Sequence, residues 1–194
     1  MKSMLTVLVI DESRSRAGEI CAGLALAGYQ VAAILAGSQN LSAEVEKLQP
    51  DVILIDTDSP SRDTLENLSA MDKNMPRPVV IFTQEDGQTS IRDALKAGVS
   101  AYIVDGLDSK RIKPILDVAM ARFEDTQALR RELNEVSQKL SDRKLVDKAK
   151  GVLMKARGLD EDAAYHAMRK LAMERGQSMA KVARDVIDMA RVLL

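Results

Sequence analysis

Five short apolar runs, LTVLVI, YQVAAIL, DVILID, PVVIFT and SAYIV, alternate along the first hundred residues with stretches whose apolar positions recur at helical spacing. That alternation restricts the possible folds more than any other feature of the chain. Runs this short and this rich in β-branched residues read as strands, and with no polar side to offer water they call for cover on both faces. Such strands, separated by helices, build a parallel sheet with helices packed on each side. The intervening stretches SRAGEICAGLALAG, SAEVEKL, RDTLENLSAM and TSIRDALKAG supply the helices. Gly28 and Gly98 follow two of them, where a left-handed C-cap is wanted.

After Tyr102 the strand signal ends, and from about Ser109 the pattern is helical, with Pro114 tolerable only near a first turn. The first helix of this part is long and runs to about Arg157. On it Leu129, Leu133, Val136 and Leu140 recur at steps of four, three and four, a short coiled-coil seam that points to a homodimer. Gly158 ends this helix, Asp160 is placed to cap a second over EDAAYHAMRKLAMER, and Gly176 with Ser178 precede a third over MAKVARDVIDMARVLL. The expected organisation is an α/β domain over 1–118, a helical linker over 119–142 and a small helical domain over 143–194.

The formal charge of -1 conceals an asymmetry. Residues 1–118 hold 12 Lys/Arg against 17 Asp/Glu, whereas 119–194 hold 16 against 12. An acidic front suits cations or a protein partner, and a basic rear suits a polyanion. No apolar run reaches the roughly 20 residues needed to span a bilayer, and the N-terminus meets an acid pair too early for a signal peptide, so no membrane association and a cytoplasmic location are expected. The single cysteine, Cys21, sits in an apolar helical pattern and reads as a packed thiol without a role.

In an open parallel sheet, ligands sit beyond the carboxyl ends of the strands where strand order reverses. Asp11 and Glu12 close the first run, Asp56 the third, and Thr83 the fourth. Carboxylates gathered at one edge repel unless a cation joins them, and Mg2+ is the ordinary candidate, with Asp11, Glu12 and Asp56 as its ligands. At these residues, IDES, LIDTDSP, IFT and AYIV, the chain resembles the receiver domain of bacterial response regulators over residues 5 to about 118. The resemblance implies a flavodoxin-like (βα)5 sheet. It assigns Asp11 and Glu12 to the metal-binding acid pair, Asp56 to the phosphoacceptor, Thr83 to the switch hydroxyl and Tyr102 to the switch aromatic.

Two positions depart from that pattern. Receivers close the fifth strand with a Lys-Pro pair whose ammonium contacts the phosphoryl group, and here Asp105 and Gly106 stand instead. At about 6 Å and an effective dielectric of about 20, one such charge pair is worth roughly 3 kcal/mol, so the exchange disfavours a phosphoryl dianion by several kcal/mol. Gln84 also replaces the small residue that usually follows the threonine. The expectation is a receiver scaffold in which phosphorylation of Asp56 is disfavoured and a docking protein exerts control.

Within 143–191 there are 12 Lys/Arg against 7 Asp/Glu, gathered at helical spacing. Lys144, Lys148, Lys150, Lys155 and Arg157 fall on the long helix, Arg169 and Lys170 on the second, and Lys181 and Arg184 on the third. Solvated helices account for such charges as readily as a polyanion does. Only Phe123 and Tyr165 are aromatic in the whole of 119–194, which excludes a single-strand stacking sheet and leaves paired nucleic acid, duplex DNA or an RNA hairpin. The pieces AKGVLM, Ala164-Tyr165, LAM at 171–173 and the following VA resemble, in order and spacing, the ANTAR domain, the three-helix RNA-binding module of transcription antitermination regulators. The resemblance implies binding to hairpins in nascent leader mRNA, with Lys148, Lys150 and Lys155 on phosphates and Arg169 or Lys170 at loop bases. Ala149, Leu153, Met154, Ala172 and Met173 are expected in the core, and His166 on the surface.

Taken together, a flavodoxin-like receiver, a long coiled-coil helix and a three-helix ANTAR domain are similar to the nitrate-responsive antiterminators of assimilatory operons. That likeness implies a nitrate-sensing protein partner. The alternative is a phosphorylation-driven, DNA-binding response regulator. A flavodoxin-like phosphatase would need a nucleophile elbow, a general-base histidine or a glycine-rich phosphate loop, and the sequence offers none of these, so no enzymatic activity is expected.

Overall fold

The computed structural model describes residues 4–12, 16–104 and 110–193, and it divides into two compact units, Met1–Gln127 and Ala128–Leu194. In the first unit the five apolar runs become β1 (Thr6–Asp11), β2 (Gln30–Leu35), β3 (Val52–Asp56), β4 (Val79–Thr83) and β5 (Ala101–Val104). Between them lie α1 (Ala17–Leu26), α2 (Leu41–Leu48), α3 (Arg62–Asn74) and α4 (Gln88–Lys96). All pairings are parallel, in the order β2-β1-β3-β4-β5. Strand order therefore reverses between β1 and β3, whose last residues, Asp11 and Asp56, stand opposite each other in register.

The uniform apolarity of the runs has a direct cause in the two layers. Alternate residues face opposite sides of a sheet. Leu8, Ile10, Ile53, Ile55 and Ile81 pack with Leu41, Val45, Leu68, Met71 and Ala94 of α2, α3 and α4. Val7, Val9, Leu54, Val80 and Phe82 pack on the other side with Ile20 and Leu24 of α1 and with Ile112, Leu116 and Ala119. β3 and β4 are wholly buried, as cover on both faces demands. β2 corrects the expectation for the edges, since it has a neighbour on one side only and leaves Ile34 48% exposed.

Gly28 and Gly98 take φ of +85° and +95° directly after α1 and α4, as left-handed caps. At Gly98 a side chain is doubly barred, because a Cβ would also stand 2.7 Å from Cγ of Asp72.

α5 (Ile112–Arg157) is a single helix of 46 residues, with Pro114 in its first turn where no backbone donor is lost. In the second unit it is followed by α6 (Glu161–Arg175) and α7 (Met179–Leu193). Asp160 caps α6 by accepting from the Ala163 amide at 2.7 Å, and Gly158 and Gly176 take positive φ at the two helix ends. Ala149, Met168, Ala172, Val182, Ala183 and Ile187 form the core of this unit, with Leu153 partly buried against it. Met154 and Met173 do not join it, and Met173 is 74% exposed. Both are apolar by type but fall on helix faces turned from the small core, which Ala149 and Ala172 already fill at close range. No helix of the described residues is long and apolar enough to cross a membrane.

Candidate functional site

Each unit carries one candidate site. In the first, the register of β1 against β3 brings Asp11 and Asp56 together at the strand ends, with Thr83 closing β4 nearby in the sheet. Asp56 is fully buried and Asp11 nearly so. Burial is the first cause of an Asp56 pKa above the ordinary carboxylate range, the guanidinium of Arg16 opposes the rise, and the charge of Asp11 adds to it.

Arg16 is the residue that sequence reasoning missed. Its Nε lies 2.9 Å from Asp56 Oδ2 and its Nη2 lies 3.7 Å from Asp58 Oδ1, while its backbone N–H donates to Asp11 Oδ2 at 3.3 Å. The Nε hydrogen is not aligned on the carboxylate, so the close approach to Asp56 is an ion pair rather than a directed hydrogen bond. The available signal was an arginine five residues beyond Asp11, in the loop that leads from the acidic strand end into α1.

The other expected members have partners of their own. Glu12 accepts from the Thr64 hydroxyl at 2.9 Å, which turns its carboxylate towards α3. The Thr83 hydroxyl donates to the Asp58 carbonyl at 2.8 Å and accepts from the Glu85 amide at 3.1 Å. Glu85, hydrogen-bonded by Ser59 and Ser90, is held below the usual carboxylate range. Tyr102 is half-buried against the core layer of α2, α3 and α4, and burial raises its pKa. Asp105 and Gly106, on which the argument against phosphorylation turned, lie outside the described residues.

A Mg2+ ion requires several oxygen ligands converging at close range. Among the described residues no three acidic, histidine or cysteine side chains converge in that way. With Glu12 turned to Thr64 and Arg16 against Asp56, the donors present do not fit a divalent ion in this arrangement.

In the second unit the cations divide by partner and by face. Lys144, Lys148 and Lys155 are exposed and fall within about 40° of one another around α5. None of the three has an ion pair among the described residues, and neither do the exposed Arg157, Arg169 and Arg184. Lys150 differs, because it bridges Asp147 at 2.8 Å and Glu161 at 2.6 Å and so ties α5 to the start of α6. Those bonds, Asp147 first, push its ammonium pKa up. Lys170 and Lys181 pair along their own helices with Glu174 and Asp185. Arg157 lies about 220° around α5 from Lys144 and lines an apolar groove with Val152, Leu153, Leu171 and Val186. On α6, Arg169 borders a shallow hollow with His166 and Met173, while Tyr165, 41% exposed, meets His166 edge to face. Leu129, Leu133, Val136 and Leu140 are all more than half exposed, a stripe on α5 with nothing packed against it in the single chain.

Comparisons with known proteins accord with this division. The response regulator receiver domain matches residues 7–122, and the ANTAR domain matches residues 134–187. The transcriptional regulatory protein PdtaR of Mycobacterium tuberculosis (strain ATCC 25618 / H37Rv) is 29% identical over 161 residues, covering 83% of this chain and 78% of that protein. The nitrate regulatory protein of Klebsiella oxytoca is 34% identical over 83 residues, which are 43% of this chain and 21% of that protein. Among solved structures, a CheY-like response regulator receiver domain protein from Methanospirillum hungatei JF-1 aligns with a TM-score of 0.55 at 20% identity, covering 64% of this chain and 99% of that one.

Proposed function

Because this chain belongs to the response regulator receiver family and carries an ANTAR domain behind the receiver, we propose that it is a transcription antiterminator that binds hairpins in nascent leader mRNA. The observation that carries this reading is the row of exposed Lys144, Lys148 and Lys155 on one face of α5, all within the ANTAR match and without an ion pair among the described residues. Phosphates of a folded RNA meet such a row without competition from internal carboxylates. Arg169, with Tyr165 one turn before it and Met173 one turn after it on exposed α6 surface, offers a guanidinium, an aromatic ring and a thioether to unstacked loop bases. Lys150 acts differently in this reading. It holds α5 against α6 through Asp147 and Glu161, and so positions the surface more than it contacts the ligand.

A hairpin held in this way cannot pair into a terminator, and transcription continues. Dimerisation through the α5 seam brings two RNA-binding surfaces onto one assembly, so that engagement of the first hairpin raises the effective concentration of the second. Similarity to the nitrate regulatory protein of Klebsiella supports a nitrate-linked target. We place that target among nitrate or nitrite assimilation genes, with a nitrate-sensing protein as the controlling partner and the cytoplasm as the place of action. Control runs through protein docking rather than an acyl phosphate at Asp56, a reading that the pairing of Asp56 with Arg16 supports.

The test is a gel-shift of the full chain with a leader hairpin and with duplex DNA of equal length, at two salt concentrations. Hairpin preference is expected, with affinity falling as salt rises by close to one power of the salt concentration per phosphate contact. Charge reversal at Lys148, Lys155 and Arg169 together should abolish the shift and flatten the salt dependence. Preference for the duplex, or indifference to the triple reversal, overturns the reading.

A further inference from the structure

The acidic edge holds a cation at a position to which the resemblance assigned no role. Asp56 is fully buried, and neither of its carboxylate oxygens has an aligned hydrogen bond. A buried carboxylate in that condition must be protonated or stand beside a positive charge. The positive charge is Arg16, the N-cap of α1, whose side chain is itself only about a quarter exposed. It reaches three acids at once, with its side chain on Asp56 and Asp58 and its backbone amide on Asp11.

We propose that Arg16 is the resident cation of this edge. Its guanidinium takes the place beside Asp56 that a divalent ion or an incoming phosphoryl group would need. Asp56 thereby has a positive charge beside it without either, and withdrawal of Arg16 opens a divalent-ion site on Asp11 and Asp56. Geometry supports a displacement mechanism rather than a permanent lock. Because Arg16 is the N-cap of α1 and makes no side-chain capping hydrogen bond, its side chain can leave without uncapping the helix. Glu12 is engaged by the Thr64 hydroxyl, so the site opened is one of two carboxylates, Asp11 and Asp56. This inference does not depend on RNA binding.

The experiment uses the full chain as wild type, Arg16→Gln, Arg16→Lys, Asp56→Asn and the Arg16→Gln/Asp56→Asn double variant. Mn2+ binding is read by the electron paramagnetic resonance of the free ion, and thermal unfolding is followed with and without Mn2+. Arg16→Gln should bind one Mn2+ per chain at least about tenfold more tightly than wild type, the effect expected for removing one neighbouring unit charge at a partly buried site. The double variant should lose that gain, and Arg16→Lys, which keeps the charge, should resemble wild type. Unfolding of Arg16→Gln should shift upwards on adding Mn2+ while wild type barely moves. Equal Mn2+ affinity in wild type and Arg16→Gln overturns the proposal, as does a gain that survives Asp56→Asn. Should Arg16→Gln fail to fold, wild type still decides the matter, since tight Mn2+ binding that Asp56→Asn abolishes would show that Arg16 does not hold the site.

Discussion

At the scale of single residues, the same burial that makes a side chain useful to the core makes its ionisation costly. Tyr29 is 4% exposed, and its hydroxyl donates to Asp117 Oδ1 at 3.0 Å. Burial, then that hydrogen bond, then the carboxylate charge push its pKa up to about 12. Below the ordinary value of about 10 both folded and unfolded chains keep the proton, and stability is unaffected. Between about 10 and about 12 the unfolded chain releases a proton that the folded chain retains, so stability falls as pH rises through that window. The full loss is about 2 to 3 kcal/mol once pH passes the folded value. Denaturant titrations across this range should show the decline, and Tyr29→Phe should remove most of it. A decline of equal size in Tyr29→Phe would assign it to other groups. Arg16 and Asp105 make a contrasting pair at this scale. Asp105 was conspicuous in the sequence because a family position had changed sign, whereas Arg16 occupies no position that the acid-cluster pattern singles out.

At the scale of elements, the helix ends of the second unit were legible because capping chemistry is local. Asp160 and Gly176 fall where residue type alone places them, since an N-cap acceptor and a left-handed C-cap depend on a few neighbouring backbone groups. Asp160→Ala should therefore cost about 1 kcal/mol, seen as a lower midpoint in urea, while Asp160→Asn should cost much less. Gly98→Ala should cost more than either, because the left-handed φ and the contact with Asp72 act together, and its loss should exceed about 1 kcal/mol in the same measurement. The α5 stripe was equally legible as a period, and its exposure in the single chain leaves four large apolar side chains in water. If a second copy covers them, Leu133→Lys with Leu140→Lys should shift the chain to monomers in sedimentation and weaken binding of a two-hairpin RNA far more than of one hairpin. An unchanged sedimentation coefficient would leave the stripe without a dimer role.

At the scale of the whole molecule, two separate cores imply two cooperative units. Calorimetry should resolve two unfolding transitions, with Gly98→Ala lowering one and Asp160→Ala the other. One transition moved equally by both substitutions would show that α5 couples the units. What the sequence determined by itself was whatever repeats over short distances: the five βα units, the two acids that end β1 and β3, the caps and the heptad stripe. Period and local hydrogen bonding set those features, and both are written in neighbouring residues. Tertiary structure alone decided which charges meet. It paired Arg16 with Asp56 across forty residues of chain, turned Glu12 to Thr64, joined Lys150 of α5 to Glu161 of α6, and left Met154 and Met173 exposed. Each of those outcomes depends on a distance between elements and on the room left in a core, and a linear pattern contains neither quantity.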